Sequence, residues 1–235
     1  MGTRSGDECA FRGLRERKKA QTRQTISDVA TRLFMERGFE AVTLAEVAEA
    51  AGVSVKTIFN HFGSKEDLYL DRDAELRAHL LGALTGREPG TTITAALGAL
   101  LVEHRIPDGR GWGAMYEPAA LAGFRRFLEV WNDSPALQAR MLVWGRRLQE
   151  DLRDVIAAEA GRPPEDEAVR TMAAMLAAAV QLRHATLAEW VLADRAPADI
   201  ERGVRAVAQE AIARVARAFP DLDVPRPAPA EAAAG

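Results

Sequence analysis

The chain has one cysteine, Cys9, in 235 residues, so no intramolecular disulfide can form and nothing suggests a thiolate metal site. Its four histidines (His61, His79, His104 and His184) fall at no metal-ligand spacing. No paired carboxylates or Ser/His/Asp set stands out, so no catalytic residue, metal ligand or cofactor site is expected, and a small helical enzyme is a remote alternative. Long apolar runs are missing as well. No window supplies the ~20 apolar residues of a membrane span. The opening "MGTRSGDECAFRGLRERKKA" lacks the apolar centre of a secretory signal, which predicts a cytoplasmic protein without membrane partners. Aromatics make up 6% of the chain and β-branched runs are scarce, which argues against sheet.

What is present favours helix. Alanine and leucine dominate, and the length is enough for one large or two modest helical domains. Charge is unevenly spread: residues 1–65 carry a balance of +3 and the remainder −6, within a net −3. Between Arg12 and Arg23 six bases oppose one acid, Glu16. A basic head on an acidic body suggests a polyanionic partner for the head, the alternative being a solvated arm.

Residues 1–12 show no periodicity and are expected to be a disordered arm. Ile26, Val29, Ala30, Leu33 and Phe34 follow the spacing of an amphipathic helix from about Ala20 to Arg37, closed by Gly38. Thr43 and Glu46 form a T-x-x-E capping box for a two-turn helix ending at Ala50. Gly52 and Val53 make a corner, and Ser54 can cap a second short helix to about His61. Ser64, with Asp67, starts a longer helix through Leu84. Helix, tight glycine turn, helix is an arrangement that presents its second helix to a DNA major groove. Val47, Ala48, Ala51, Val53, Ile58 and Phe62 would face inward. Ser54, Val55, Lys56, Asn60 and His61, with Thr57 at the edge, would face out, and most are residue types that reach phosphates and base edges. Arg15, Arg17, Lys18, Lys19 and Arg23 precede or begin the first helix, placed to follow a sugar-phosphate backbone or enter a minor groove.

The stretch "TLAEVAEAAGVSVKTIFNHFGSKEDL" (residues 43–68), preceded by "FMERGFEAVT", resembles the tetracycline-repressor (TetR) family of bacterial transcription regulators. The resemblance is dense over about Lys18 to Leu70, under a third of the chain. It implies that Thr43 caps the first helix of the motif and meets a phosphate. It also implies that Ser54, Val55 and Lys56 face base edges with Thr57 beside them, that Asn60 lies near bases or backbone, and that His61 and Lys65 hold phosphates. The family usually has Tyr where this chain has Phe59, so a phenol–phosphate hydrogen bond is absent at that DNA-facing position.

After Thr85, "GREPGTT" reads as a domain junction. Helices are predicted over 91–104, 114–132, about 135–155, 165–192 and 198–218, with a loop at 106–113. Trp112, Tyr116, Phe124, Phe127, Trp131 and Trp144 cluster within 33 residues, and with Met141 they are either plain core or the lining of an apolar ligand cavity. Arg183 interrupts an inward apolar stripe and needs a partner. Either Arg183 and the adjacent His184 meet the acidic end of a ligand, a carboxylate or acyl-thioester phosphate, or Arg183 pairs with a glutamate or solvent at a dimer edge. In the resembling family the middle region holds an inducer and the last two helices form a two-fold interface.

The expected architecture is all-α: an arm (1–12), a three-helix helix-turn-helix domain with its connecting helix (13–84), a helical ligand-binding and dimerisation domain (85–220), and a disordered tail (221–235). The expected function is a homodimeric, sequence-specific regulator of transcription. It would be a repressor released from a palindromic operator in double-stranded DNA by a small apolar or amphipathic effector, as the helix from Ser64 to Leu84 swings. A non-specific DNA-binding module without ligand control is the alternative.

Overall fold

The computed structural model describes residues 4–71, 73–103 and 118–226, which contain ten helices and no strand. They are α1 (Arg4–Arg37), α2 (Leu44–Ala50), α3 (Val55–His61), α4 (Lys65–Tyr69), α5 (Asp73–Thr85), α6 (Ile93–Glu103), α7 (Pro118–Asn132), α8 (Pro135–Ala160), α9 (Glu167–Leu192) and α10 (Pro197–Ala218). The chain divides into two compact units, Met1–Asp71 with Val130–Leu137, and Arg72–Glu129 with Gln138–Gly235.

In the first unit α1 contributes Ile26, Ala30 and Phe34, one residue per turn on one face and all fully buried. They meet Phe39, Val42, Val47, Ala48, Ile58, Phe62 and Leu68, all buried apolar side chains. Phe34, Phe39 and Tyr69 form a triangle of rings with centroids 5.2–5.7 Å apart. Gly52, at φ +65°, turns the corner between α2 and α3, a backbone region that side chains with a Cβ rarely adopt.

Two expectations are corrected here. The supposed disordered arm is helical from Arg4 onward as the start of α1. Lack of an apolar stripe does not prevent helix, and the segment is free of proline and runs directly into Leu14–Ala20, a stretch made only of strong helix formers. The helix expected from Ser64 to Leu84 is instead two, because Leu70 leaves helical geometry at φ −98°, ψ 38°. Leu68, Tyr69 and Leu70 are all buried, and a continuous helix cannot turn three consecutive side chains toward one core.

The second unit is built around one apolar core. Leu80 and Leu84 of α5, Leu97 and Leu101 of α6, Leu148 and Leu152 of α8, Met172 and Leu176 of α9, and Ala208 and Val215 of α10 all join it. That shared core is why α5 groups with this unit rather than with the helix-turn-helix. A second cluster joins Leu128 to Leu187, Val191, Ile200 and Val204. Gly203 lets α10 approach α9 so closely that a Cβ there would lie 1.9 Å from the Trp190 ring.

The expected disordered tail is corrected over 221–226. Leu222 is fully buried in the main core, and Asp223 accepts from the Thr94 backbone N–H (3.0 Å) and hydroxyl at the start of α6. Arg226 exchanges backbone hydrogen bonds with Gly90 and Thr91. Among the described residues no helix is long and apolar enough to cross a membrane.

Candidate functional site

The two short helices of the first unit are fixed by their caps. The hydroxyl of Thr43 accepts from the Glu46 N–H (3.3 Å), while the Glu46 carboxylate accepts from the Thr43 N–H and hydroxyl, both at 2.8 Å. Those hydrogen bonds from Thr43, with Arg37 2.7 Å away, bring the Glu46 carboxyl down to about 2. The hydroxyl of Thr43, assigned to a phosphate from the sequence, is therefore engaged in its own capping box. Ser54 caps α3 by accepting from the Thr57 N–H at 3.0 Å, and the two hydroxyls are 2.8 Å apart.

Ile58 and Phe62 anchor α3 and its C-terminal cap in the core, at 1% and 3% exposure. This leaves Lys56 and Asn60 exposed on the opposite side of the helix and Val55 and Phe59 exposed on its flank. Of the residues the sequence places inward, Val47, Ala48, Ile58 and Phe62 are buried while Ala51 and Val53 are half-buried, and of those it places outward His61 is half-buried. Ser64 caps α4 by accepting from the Asp67 N–H at 3.0 Å. Arg15, Lys18 and Lys19 are exposed along α1, as is Arg17.

Three basic side chains depart from a simple surface arrangement. Arg23 is half-buried: its Nη1 donates to the His61 carbonyl (2.7 Å), its Nη2 to the Asp71 carbonyl (3.2 Å), and its guanidinium lies 4.1 Å from the Phe62 ring centroid. Ser27, one turn along α1, donates to the Asp71 carboxylate. Sequence reasoning placed Arg23 on DNA and missed this role, since its partners lie 38 and 48 residues away. His61 is held below its ordinary 6.5 by desolvation and by the charges of Lys19 and Arg23. The Lys65 ammonium sits 4.2 Å from the Phe39 ring centroid, and desolvation lowers its pKa although Glu40, Glu66 and Glu46 pull the other way. Among the described residues no cluster of His, Cys, Asp or Glu could hold a metal ion.

Several of the aromatic and polar residues assigned to a ligand cavity are among the described residues. Trp112 and Tyr116 lie outside the described residues. Phe124 and Phe127 stack at 6.1 Å beside the Leu187–Val191 cluster, while Trp131 falls in the first unit. Met141 and Trp144 pack in the main core of the second unit, and the Trp144 ring lies 6.2 Å from that of His184. The Trp144 indole Nε1–H is buried with no acceptor among the described residues. Arg183 is 1% exposed, and its Nε donates to the Leu101 carbonyl of α6 at 3.3 Å, a partner the sequence did not suggest. A groove of about 300 Å³ runs between α6 and α10, lined by Thr94, Gly98, Val102, Gln209 and Ile212 among others. Among the described residues, none of the aromatics named from the sequence lines it.

Comparison with known proteins bears on both units. The family model for bacterial regulatory proteins of the tetR family matches residues 26–71, the span of the capped helices. The chain is 31% identical over 159 residues to the HTH-type transcriptional regulator TcmR of Streptomyces glaucescens, covering 66% of this chain and 67% of that protein. It is 45% identical over 53 residues to the HTH-type transcriptional repressor AcnR of Corynebacterium glutamicum, covering 23% and 28%. The structure of SmeT in complex with triclosan shares the fold at a TM-score of 0.51, with 19% identity, over 89% of this chain and 99% of that one.

Proposed function

Because the chain belongs to the tetR family of bacterial regulatory proteins, we propose that it binds a palindromic operator as a homodimer and is released by a small amphipathic effector. It is an HTH-type transcriptional regulator and not an enzyme.

The observation that carries the DNA-binding reading is the geometry of α3. A helix capped by Ser54 and anchored by Ile58 and Phe62 leaves Val55, Lys56, Phe59 and Asn60 free to enter a major groove. Lys56 can donate to guanine O6 and N7, and Asn60 can pair with adenine. Arg15, Lys18 and Lys19 supply cations for phosphates, joined by His61 and Lys65. Thr43, Ser54 and Thr57 set the angle of approach through the caps and contribute to DNA contacts where their hydroxyls reach the backbone. The exposed side of α1 and the motif then form one DNA-binding region ending at Asp71, and the second unit, which takes in α5, is the regulatory region.

A dimer is supported by apolar side chains left in water on the isolated chain. Leu142 and Val143 of α8 and Met175 and Leu182 of α9 are exposed, at 38–77%. The outward face of α10, in contrast, is laced with ion pairs such as Arg205–Glu201 and Arg214–Glu210. Two copies would present two recognition helices about one turn of DNA apart, ~34 Å.

An effector site in the second unit is supported by a polar donor held in an apolar core. The Trp144 indole can only donate, so a guest seated beside it needs an acceptor such as a carboxylate or carbonyl. The effector would act by population shift, favouring a conformation in which the two recognition helices no longer match the operator spacing.

The testing experiment is operator selection from a random duplex library with wild-type protein and with Lys56→Ala. The expected result is a palindrome whose information content drops at particular positions in the variant. Binding without enrichment that fades as salt rises would replace this reading with non-specific association.

A further inference from the structure

The outward side of α3 carries two parallel ridges of different chemistry. Lys56 and Asn60, four residues apart, form a polar ridge, and Val55 and Phe59, also four apart, form an apolar one beside it. Val55 is 36% exposed and Phe59 54% exposed. This helix has only seven residues, yet it leaves two large apolar side chains in water while Ile58 between them is buried at 1%. No aromatic ring or cation packs on the Phe59 ring among the described residues. The fold thus leaves part of the apolar surface of Val55 and Phe59 in water.

The major groove offers one apolar feature that could serve as one. Phosphates and base edges present charge, donors and acceptors, but thymine projects its C5-methyl group into the groove. A phenyl ring and an isopropyl group one turn apart make a surface against which that methyl can be desolvated. Phe59 carries no hydroxyl that could tie its ring to a phosphate.

We propose that the Val55–Phe59 ridge reads a thymine in each operator half-site through its C5-methyl group, next to the base pair read by Lys56 and Asn60. This rests on the reading of α3 as the base-contacting helix, and it adds the chemical identity of one position.

The test uses the full-length wild-type protein and removes one methyl group from the DNA. Each thymine of the selected half-site is replaced in turn by uracil, which keeps every hydrogen-bonding group. At one position or an adjacent pair, affinity is expected to fall about fourfold, the transfer free energy of a methyl group. Phe59→Ala, at an exposed site and checked for an unchanged melting temperature, should bring the thymine-to-uracil ratio at that position to about 1. A uracil scan flat throughout overturns the proposal, even if Phe59→Ala weakens binding, because the ring would then lie on sugar or phosphate. A thymine-to-uracil difference that survives Phe59→Ala also overturns it. Failure to enrich any duplex sinks the parent reading and this one together, whereas an enriched palindrome with a flat scan sinks this one alone.

Discussion

The Nη1 of Arg23 donates to the backbone carbonyl of His61 at 2.7 Å, tying the middle of α1 to the last residue of α3. The same guanidinium covers the Phe62 ring and reaches the Asp71 carbonyl, so one side chain fixes where the recognition helix ends and where the first unit closes. Arg23→Met should cost about 1–3 kcal/mol, the range for hydrogen bonds to a charged donor, and lower the melting temperature by several degrees. A structural role and a phosphate contact separate in the salt dependence. Lys18→Ala should reduce the slope of log K against log salt by about 1 and leave stability alone, while Arg23→Met should weaken binding without changing that slope. Equal slope changes in the two variants would return Arg23 to the DNA.

His61 sets a pH dependence. In the free protein its pKa lies below 6.5 because burial and the charges of Lys19 and Arg23 disfavour the cation. Between that lowered value and 6.5 the unfolded chain binds more protons than the folded one, so stability drops as pH falls through this window. A phosphate beside the imidazole would act oppositely, raising the pKa in the complex. Proton uptake then accompanies binding, and operator affinity should fall as pH rises from the free-state pKa through that of the complex. Anisotropy titrations from about pH 5.5 to 8.5 should show this for wild type and a flatter profile for His61→Gln. Matching profiles would take His61 off the phosphate.

How legible the chain was depended on the distance between partners. Thr43, Ser54 and Ser64 announce their caps because a capping oxygen and the amide it accepts from are two or three residues apart. The burial of Ile58 and the exposure of Lys56 and Asn60 were equally readable, since helical period alone divides them. Arg23 misled because an arginine with a carbonyl 38 residues away looks the same in sequence as one meant for phosphate. The C-terminal segment misled for the same reason: "DLDV" is short and proline-flanked, and only the fold brings Asp223 to Thr94 across 129 residues. The aromatic cluster over 112–144 is dense in sequence, yet Phe124 and Phe127 pack beside Leu187 and Val191 while Trp144 packs in the main core. Sequence proximity at helical spacing does not decide which neighbouring helix each ring will meet.

Glu46 makes the α2 cap sensitive to acid. Its carboxyl lies at about 2 instead of 4.5, chiefly because the Thr43 N–H donates to the ionised form. A depressed carboxylate contributes stability that is complete above pH 4.5 and is lost as pH falls toward 2. Glu46→Gln retains an acceptor but not the charge. Its melting temperature should lie below that of wild type near neutrality, and the gap should close as pH falls through this window. A gap independent of pH would assign the effect to side-chain geometry instead of ionisation.

Arg87 and Glu159 offer a test of how the second unit is closed. The guanidinium is buried, with 2% of its side chain exposed, and it donates to the Leu84 carbonyl (2.8 Å), the Thr91 carbonyl (2.9 Å) and the Glu159 carboxylate. Glu159 keeps 20% of its side-chain surface in water, so the two partners are not equivalent. Removing the acid strands a buried cation with carbonyls alone, at roughly 3–5 kcal/mol. Removing the base leaves a carboxylate that water can reach, together with two carbonyls short of a donor, at about 1–3 kcal/mol. Glu159→Met should therefore destabilise more than Arg87→Met in urea unfolding, and the double variant should be more stable than Glu159→Met alone. The reverse order would mean that the two carbonyl contacts, and not the ion pair, hold the corner between α5 and α6.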